Sequence, residues 1–106
     1  VITAESALMP QPERADIRIA TVLQALGDPV RLIIVRALAE APGGVPCGEI
    51  PLPVTKSTRT HHLRTLREAG LISQRLEGTR RMTTLRRDDI DALYPGLLAG
   101  VLAADR

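Results

Sequence analysis

The segment from Thr55 to Arg87 concentrates the side chains that could do chemistry. It holds nine basic residues (Lys56, Arg59, Arg64, Arg67, Arg75, Arg80, Arg81, Arg86 and Arg87) and two acids, Glu68 and Glu77. Its local charge is +7 and the rest of the chain carries −5, so the formal net charge of +2 hides an asymmetry. Cations on consecutive elements form a surface suited to a polyanion. Within the segment, Ser57, Thr60, His61 and Arg64 share one sector of a helix at ~100° per residue. Leu63, Leu66 and Ala69 fall on the opposite side. Such a helix can pack on a protein body and still offer polar side chains to base edges in a groove.

Those side chains need a scaffold, and the surrounding sequence supplies one of mainly helical character. Residues 1–12 show no sustained period, end in Pro10-Gln11-Pro12 and read as a flexible arm. Residues 13–106 read as one domain. From Glu13 to Leu26 the apolar positions Ile17, Ile19, Ala20, Val22, Leu23 and Leu26 predict a helix that Gly27 stops. Asp28-Pro29 opens a second helix, with Asp as N-cap and Pro preorganised at the first position; Leu32, Ile34, Val35 and Leu38 follow. Three prolines between Pro46 and Pro53 leave room for one turn at Cys47–Ile50. Thr55, Lys56, Ser57 and Thr58 start the basic helix, and Gly70 breaks it. Leu71–Glu77 and Arg80–Arg86 predict two strands around Gly78-Thr79. Asp88-Asp89 is expected to cap a last helix, which Pro95 kinks or divides near Tyr94. Helices followed by a basic helix, a basic hairpin and a final helix make a winged helix-turn-helix.

Composition narrows the alternatives. With 44% apolar and 25% charged residues, the balance is that of a folded domain, and 106 residues suffice for one. No apolar run approaches the ~20 residues that span a bilayer. Val1–Pro10 lack the basic cluster of a secretory leader, so the cytoplasm is the expected compartment. Tyr94 is the only aromatic residue, which argues against single-strand binding by base stacking; the partner expected from the basic helix and hairpin is double-stranded DNA. There is no Gly-rich phosphate loop. Ser57 near His61 could suggest a nucleophile and base, but the basic helix already accounts for both, so no enzyme is expected. His61 suits a base or phosphate contact or simple exposure, and His62 suits a hydrogen-bonded interior position. Adjacent residues on a helix face apart, so the pair is a poor chelate. One cysteine makes no internal disulfide and no multi-thiolate zinc site. Cys47 is either a small half-buried residue or, if exposed and acidified, a thiol switch.

Two stretches resemble a known family. Ala25-Leu26-Gly27-Asp28-Pro29-Val30-Arg31-Leu32 resembles the opening signature of ArsR/SmtB-type transcriptional repressors. Lys56 to Ile72, with Ser57-Thr58-Arg59-Thr60-His61-His62-Leu63, resembles that family's recognition helix and the turn after it. Glu77-Gly78-Thr79-Arg80-Arg81 sits where its wing tip falls. The resemblance covers roughly residues 15–104, and it implies a homodimeric DNA-binding repressor, often released by a metal or another signal. The family's usual apolar residue is replaced by Arg59, expected to snorkel from the helix edge. Its metal sensors carry sets of Cys on the short third helix or Asp/His sets on the last. Here those positions hold Cys47 alone, and Asp88, Asp89 and Asp91 without His. No metal and no other cofactor is expected, and any effector is unidentified.

The expected DNA contacts are Lys56, Ser57, Thr58, Thr60, His61 and Arg64 on the helix and Arg80 and Arg81 on the wing. They would read an inverted-repeat operator, since a two-fold dimer presents two recognition helices about one DNA turn apart. The dimer is expected at Ile17, Tyr94, Leu97, Leu98, Val101 and Leu102, where the terminal helices carry more apolar surface than one small core needs. The competing reading is a winged-helix module that binds protein instead of DNA.

Overall fold

The computed structural model describes residues 7–104. Five helices, α1 (Ile19–Leu26), α2 (Pro29–Ala39), α3 (Lys56–Ala69), α4 (Arg87–Leu93) and α5 (Leu97–Ala103), surround a small sheet. Its strands are β1 (Ala7–Leu8), β2 (Val45–Pro46), β3 (Ile72–Glu77) and β4 (Arg80–Leu85). The strand order is β1-β3-β4-β2, antiparallel throughout. The hairpin runs from the pair Ile72–Leu85 to the pair Glu77–Arg80 around Gly78-Thr79, where Gly78 takes a positive φ of 66°. This is a winged helix-turn-helix, as the order of elements predicts. None of the described helices is long and apolar enough to cross a membrane.

Local chemistry sets the helix limits. Asp28 caps α2, its carboxylate accepting from the Val30 amide at 2.8 Å and the Arg31 amide at 3.1 Å, with Pro29 at the first helical position. The Thr55 hydroxyl accepts from the Thr58 amide at the start of α3. Gly70 ends α3 at φ 89°, a left-handed conformation that suits glycine. It also makes room: a Cβ there would lie 2.5 Å from Ile17 Cγ1. The core is aliphatic. Val22, Ile34, Val35, Leu66, Leu71, Ile72, Ile90 and Leu98 are fully buried, so helix-on-helix and helix-on-sheet contacts bury the apolar stripes that the sequence pattern shows.

Three expectations are corrected. The helix expected from Glu13 begins only at Ile19; Arg14–Asp16 form a 3-10 turn, and Ile17 and Arg18 are extended. Extended backbone lets Ile17 drop into the space left by Gly70, where it is buried. Second, the flexible arm expected over residues 1–12 is seated from Ala7 onward, because β1 pairs with β3 and the Met9 amide donates to the Gln74 carbonyl at 2.9 Å. Residues 1–6 lie outside the described residues. Third, the N-cap of α4 is Arg86, not Asp88 or Asp89; the two acids lie in the first turn, where the helix dipole favours them. The final helical stretch is divided at Pro95, with Gly96 at φ 86°.

Candidate nucleic-acid interface

The middle of α3 presents two faces. His62, Leu63, Leu66 and Ala69 are buried against the body. Lys56, Ser57, His61 and Arg64 are exposed, and Thr58 and Thr60 are half-buried beside them. The opposition read from helical spacing is therefore the one the fold adopts. Each small polar group has local company. The Thr60 hydroxyl donates back to the Lys56 carbonyl at 3.1 Å. The Thr58 hydroxyl accepts from the Thr55 hydroxyl at 2.9 Å, so Thr58 belongs to the helix cap as much as to the outer face.

His62 is 8% exposed, and its Nδ1 lies 3.1 Å from Arg31 Nη1. Arginine can only donate, so Nδ1 accepts and the ring proton resides on Nε2. Arg31 also donates from Nε to the Ala25 carbonyl at 2.6 Å. The Arg31–His62 contact fastens α3 to the start of α2. Arg59 is half-buried: its Nη1 donates to the Gly48 carbonyl at 3.4 Å, while its Nε is buried without a hydrogen-bond partner among the described residues. His61 and His62 have ring centroids 5.4 Å apart, and among the described residues no group of three His, Cys, Asp or Glu side chains gathers to hold a metal.

The wing stands beside this helix. Arg80 and Arg81 open β4 and are exposed; Arg80 makes one long ion pair, 3.5 Å to Glu49, both side chains more than half in solvent and therefore weakly coupled. Between α3 and the hairpin runs a cleft of about 670 Å³. Its walls carry Lys56, Arg59, Arg64, Arg67, Arg80 and Arg81, against the single acid Glu49. Cys47, a free thiol and half-buried, lines its edge. An exposed polar helix face next to a cationic cleft can read base edges and hold phosphates at the same time.

Sequence reasoning missed the residues behind this surface. Arg67 reads there only as charge, yet it is half-buried and donates to the Pro10 carbonyl at 3.0 Å and to Gln74 Oε1 at 2.7 Å. Its pKa lies below the ordinary arginine value, first because it is desolvated. Gln74 is 1% exposed. Its position two residues after Ile72, on the inward face of β3, was the available signal.

The expected dimer residues divide. Ile17 and Leu98 are consumed inside the protomer, at 6% and 0% exposure, which corrects their assignment to a surface. Ile17 packs against Gly70, and Leu98 closes the core from α5. Tyr94, Leu97, Val101 and Leu102 are half-buried against that core, and the Tyr94 hydroxyl donates to the Ile17 carbonyl at 3.1 Å. The large apolar side chains left exposed among the described residues are Leu8, Ile19, Leu23 and Ile33.

Comparison with known proteins meets this geometry. Residues 26–75, from the end of α1 into β3, match a helix-turn-helix domain family. The chain is 36% identical over 81 residues to the uncharacterized HTH-type transcriptional regulator YceK of Bacillus subtilis, spanning 74% of this chain and 81% of that protein. It is 37% identical over 86 residues to the HTH-type transcriptional regulator Rv2034 of Mycobacterium tuberculosis, covering 73% and 78%. A 41% identity over 61 residues links it to the uncharacterized HTH-type transcriptional regulator MJ1325 of Methanocaldococcus jannaschii, covering 57% and 68%. Likeness over most of the length of these regulators, centred on the helix pair and basic helix described above, places the chain: it belongs to the family of helix-turn-helix transcriptional regulators and is a regulator, not an enzyme.

Proposed function

We propose that this protein is an ArsR-type repressor that binds an inverted-repeat operator as a homodimer. The observation that carries the reading is the exposed face of α3, with Ser57, His61 and Arg64 at its surface beside the cationic cleft of the wing. Ser57, Thr60, His61 and Arg64 read base edges in the major groove. Lys56, Arg80 and Arg81 meet phosphates, and Thr58 supports the helix start against the backbone.

The second protomer docks through Ile19 and Leu23 of α1 together with the outer sides of Leu97, Val101 and Leu102. Exposed Ile19 and Leu23 replace Ile17 and Leu98 in this role. The Tyr94–Ile17 hydrogen bond supports the arrangement, since it brings the junction of α4 and α5 to the approach of α1. Such a protein works on the chromosome in the cytoplasm. Cys47 at the cleft edge is the candidate for a thiol-based release signal, and no metal enters the reading.

The test is genome-wide recovery of DNA bound to the untagged protein, followed by mobility assays at two salt concentrations. An inverted repeat with half-sites about one helical turn apart, and affinity that falls steeply with salt, is the expected result. Absence of DNA binding at low salt would move the protein-binding alternative ahead. Sedimentation as a monomer at micromolar concentration would remove the dimer.

A further inference from the structure

Nine cations crowd the basic segment, but they are not equivalent. Arg67 faces the same cleft as Arg64, Arg80 and Arg81, yet its guanidinium is already engaged. Nε donates to the Pro10 carbonyl at 3.0 Å, and Nη1 donates to Gln74 Oε1 at 2.7 Å. Met9 Sδ lies 3.9 Å from the same Nη1. Gln74 carries the connection onward. Its backbone carbonyl accepts from the Met9 amide at 2.9 Å, and its Nε2 donates to the Thr83 hydroxyl at 3.5 Å. The buried Thr83 hydroxyl donates in turn to the Arg81 carbonyl at 3.4 Å.

One side chain on α3 therefore joins the N-terminal segment, β3 and, through Thr83, the backbone of β4 at Arg81. Beyond that point the hairpin projects as a ribbon. Gly78 at its tip has open space around its Cβ position, and Arg80 beside the tip makes only the weak, solvent-exposed pair with Glu49. A two-stranded ribbon is marginal by itself and needs packing at its base.

We propose that Arg67 is a positioning residue for DNA binding: it sets the angle of the wing to the recognition helix through Gln74 and the Pro10 carbonyl, and does not itself hold a phosphate. The inference rests on the DNA reading above. Its logic is geometric. Arg67 has two acceptors whose directions fix its planar fork. Gln74, buried at 1% exposure, cannot touch DNA, so any effect of Gln74 on DNA affinity must pass through protein. Burial is also the first cause of the lowered Arg67 pKa, in keeping with a cation drawn into the protein.

The experiment measures affinity for a duplex recovered with the wild-type protein. Arg67→Lys, Arg67→Met and Gln74→Leu are each made in the wild-type chain and in the Arg80→Ala/Arg81→Ala chain, with thermal melting as the folding control. Each of the three is expected to weaken binding roughly three- to tenfold in the wild-type chain and less than about twofold once the wing arginines are gone, because residues acting through one another do not add. Arg67→Lys keeps the charge and is expected to fail like Arg67→Met. Amide exchange of β3 and β4 in free Arg67→Met is expected to rise. Wild-type affinity in Arg67→Lys would overturn the proposal, as would a loss for Arg67→Met that is equal in both backgrounds, since that is the behaviour of a direct phosphate contact. A wild-type chain that binds no duplex would instead sink the DNA reading itself.

Discussion

Two sets of arginines divide this small protein. Arg31, Arg67 and Arg86 turn inward onto backbone carbonyls, at Ala25, Pro10 and Pro12 respectively. Arg64, Arg80 and Arg81 stand in solvent along α3 and the wing. The inward set lies where the N-terminal segment and α1 meet the base of α3, the wing and α4. The outward set lies on α3 and the wing. A carbonyl without a strand or helix partner needs a donor, and a guanidinium supplies one while keeping its charge. Local charge in a DNA-binding segment is therefore a poor count of phosphate contacts. The two sets should fail by different routes: the outward set through direct loss of affinity, the inward set through what it anchors, which is the stability of the fold at Arg86 and the angle of the wing at Arg67.

The largest effect on stability is expected at Arg86. Its side chain is 7% exposed, pairs with Asp89 at 2.9 Å and donates to the Pro12 carbonyl at 2.7 Å. Arg86→Met should destabilise the fold by about 2–4 kcal/mol, since it leaves a carbonyl and a partly buried carboxylate short of a donor. Urea unfolding measures this, and a change below about 0.5 kcal/mol, the range of ordinary surface substitutions, would erase the distinction between the sets. The converse is the double change Arg80→Ala with Arg81→Ala. It should leave unfolding within about 0.5 kcal/mol but lower DNA affinity for all sequences. It should also flatten the salt dependence, by about 0.9 in slope for each phosphate no longer neutralised. If affinity and slope both survive, the wing does not touch DNA. Arg64→Ala sharpens the outward set further. It should lower affinity by roughly 1–3 kcal/mol and relax the operator at one position in each half-site. A uniform loss across sequences would make Arg64 a phosphate contact instead.

The outward set was legible from sequence, and the inward set was not. Helical spacing alone separates Ser57, His61 and Arg64 from Leu63, Leu66 and Ala69, and the burial of α3 follows that division. Asp28-Pro29, Gly70 and Gly78-Thr79 mark boundaries because each meets a local backbone need, whatever the rest of the chain does. Long-range partners leave no such mark. Pro10 and Arg67 are 57 residues apart, and Pro12 and Arg86 are 74 apart. No period joins them, so Arg67 and Arg86 read as surface charge and residues 7–12 as a loose arm. Ile17 misleads for the same reason. Its place in an apolar period argues for helix, but tertiary contact with Gly70 draws it into extended backbone. That contact also removes it from the exposed apolar surface, leaving Ile19 and Leu23 outside.

The smallest expected effect separates local from long-range anchoring by pH. Asp28 and Asp89 both have carboxyl pKa values held below the ordinary 3.8. For Asp28 the first cause is the hydrogen bond from the Arg31 amide, with the Val30 amide also contributing. For Asp89 it is the hydrogen bond from Arg14, followed among the lowering causes by Arg86. A carboxyl with a lower pKa in the folded state binds fewer protons there than in the unfolded chain. Its stabilisation is complete above the unfolded value and fades as the pH falls through the folded one. Asp28→Ala should remove a helix cap worth about 1 kcal/mol at neutral pH. The gap between wild type and variant should stay constant down to about pH 5 and then close on further acidification. Asp89→Asn should behave in the same direction, and it should also weaken the Arg14 and Arg86 anchors of the N-terminal segment. Amide exchange at Met9, whose amide bonds to Gln74, should therefore rise in Asp89→Asn and stay unchanged in Asp28→Ala. Equal exchange in the two variants would show that the inward arginines do not act on the segment they touch. A gap that widened on acidification would contradict the direction of both shifts.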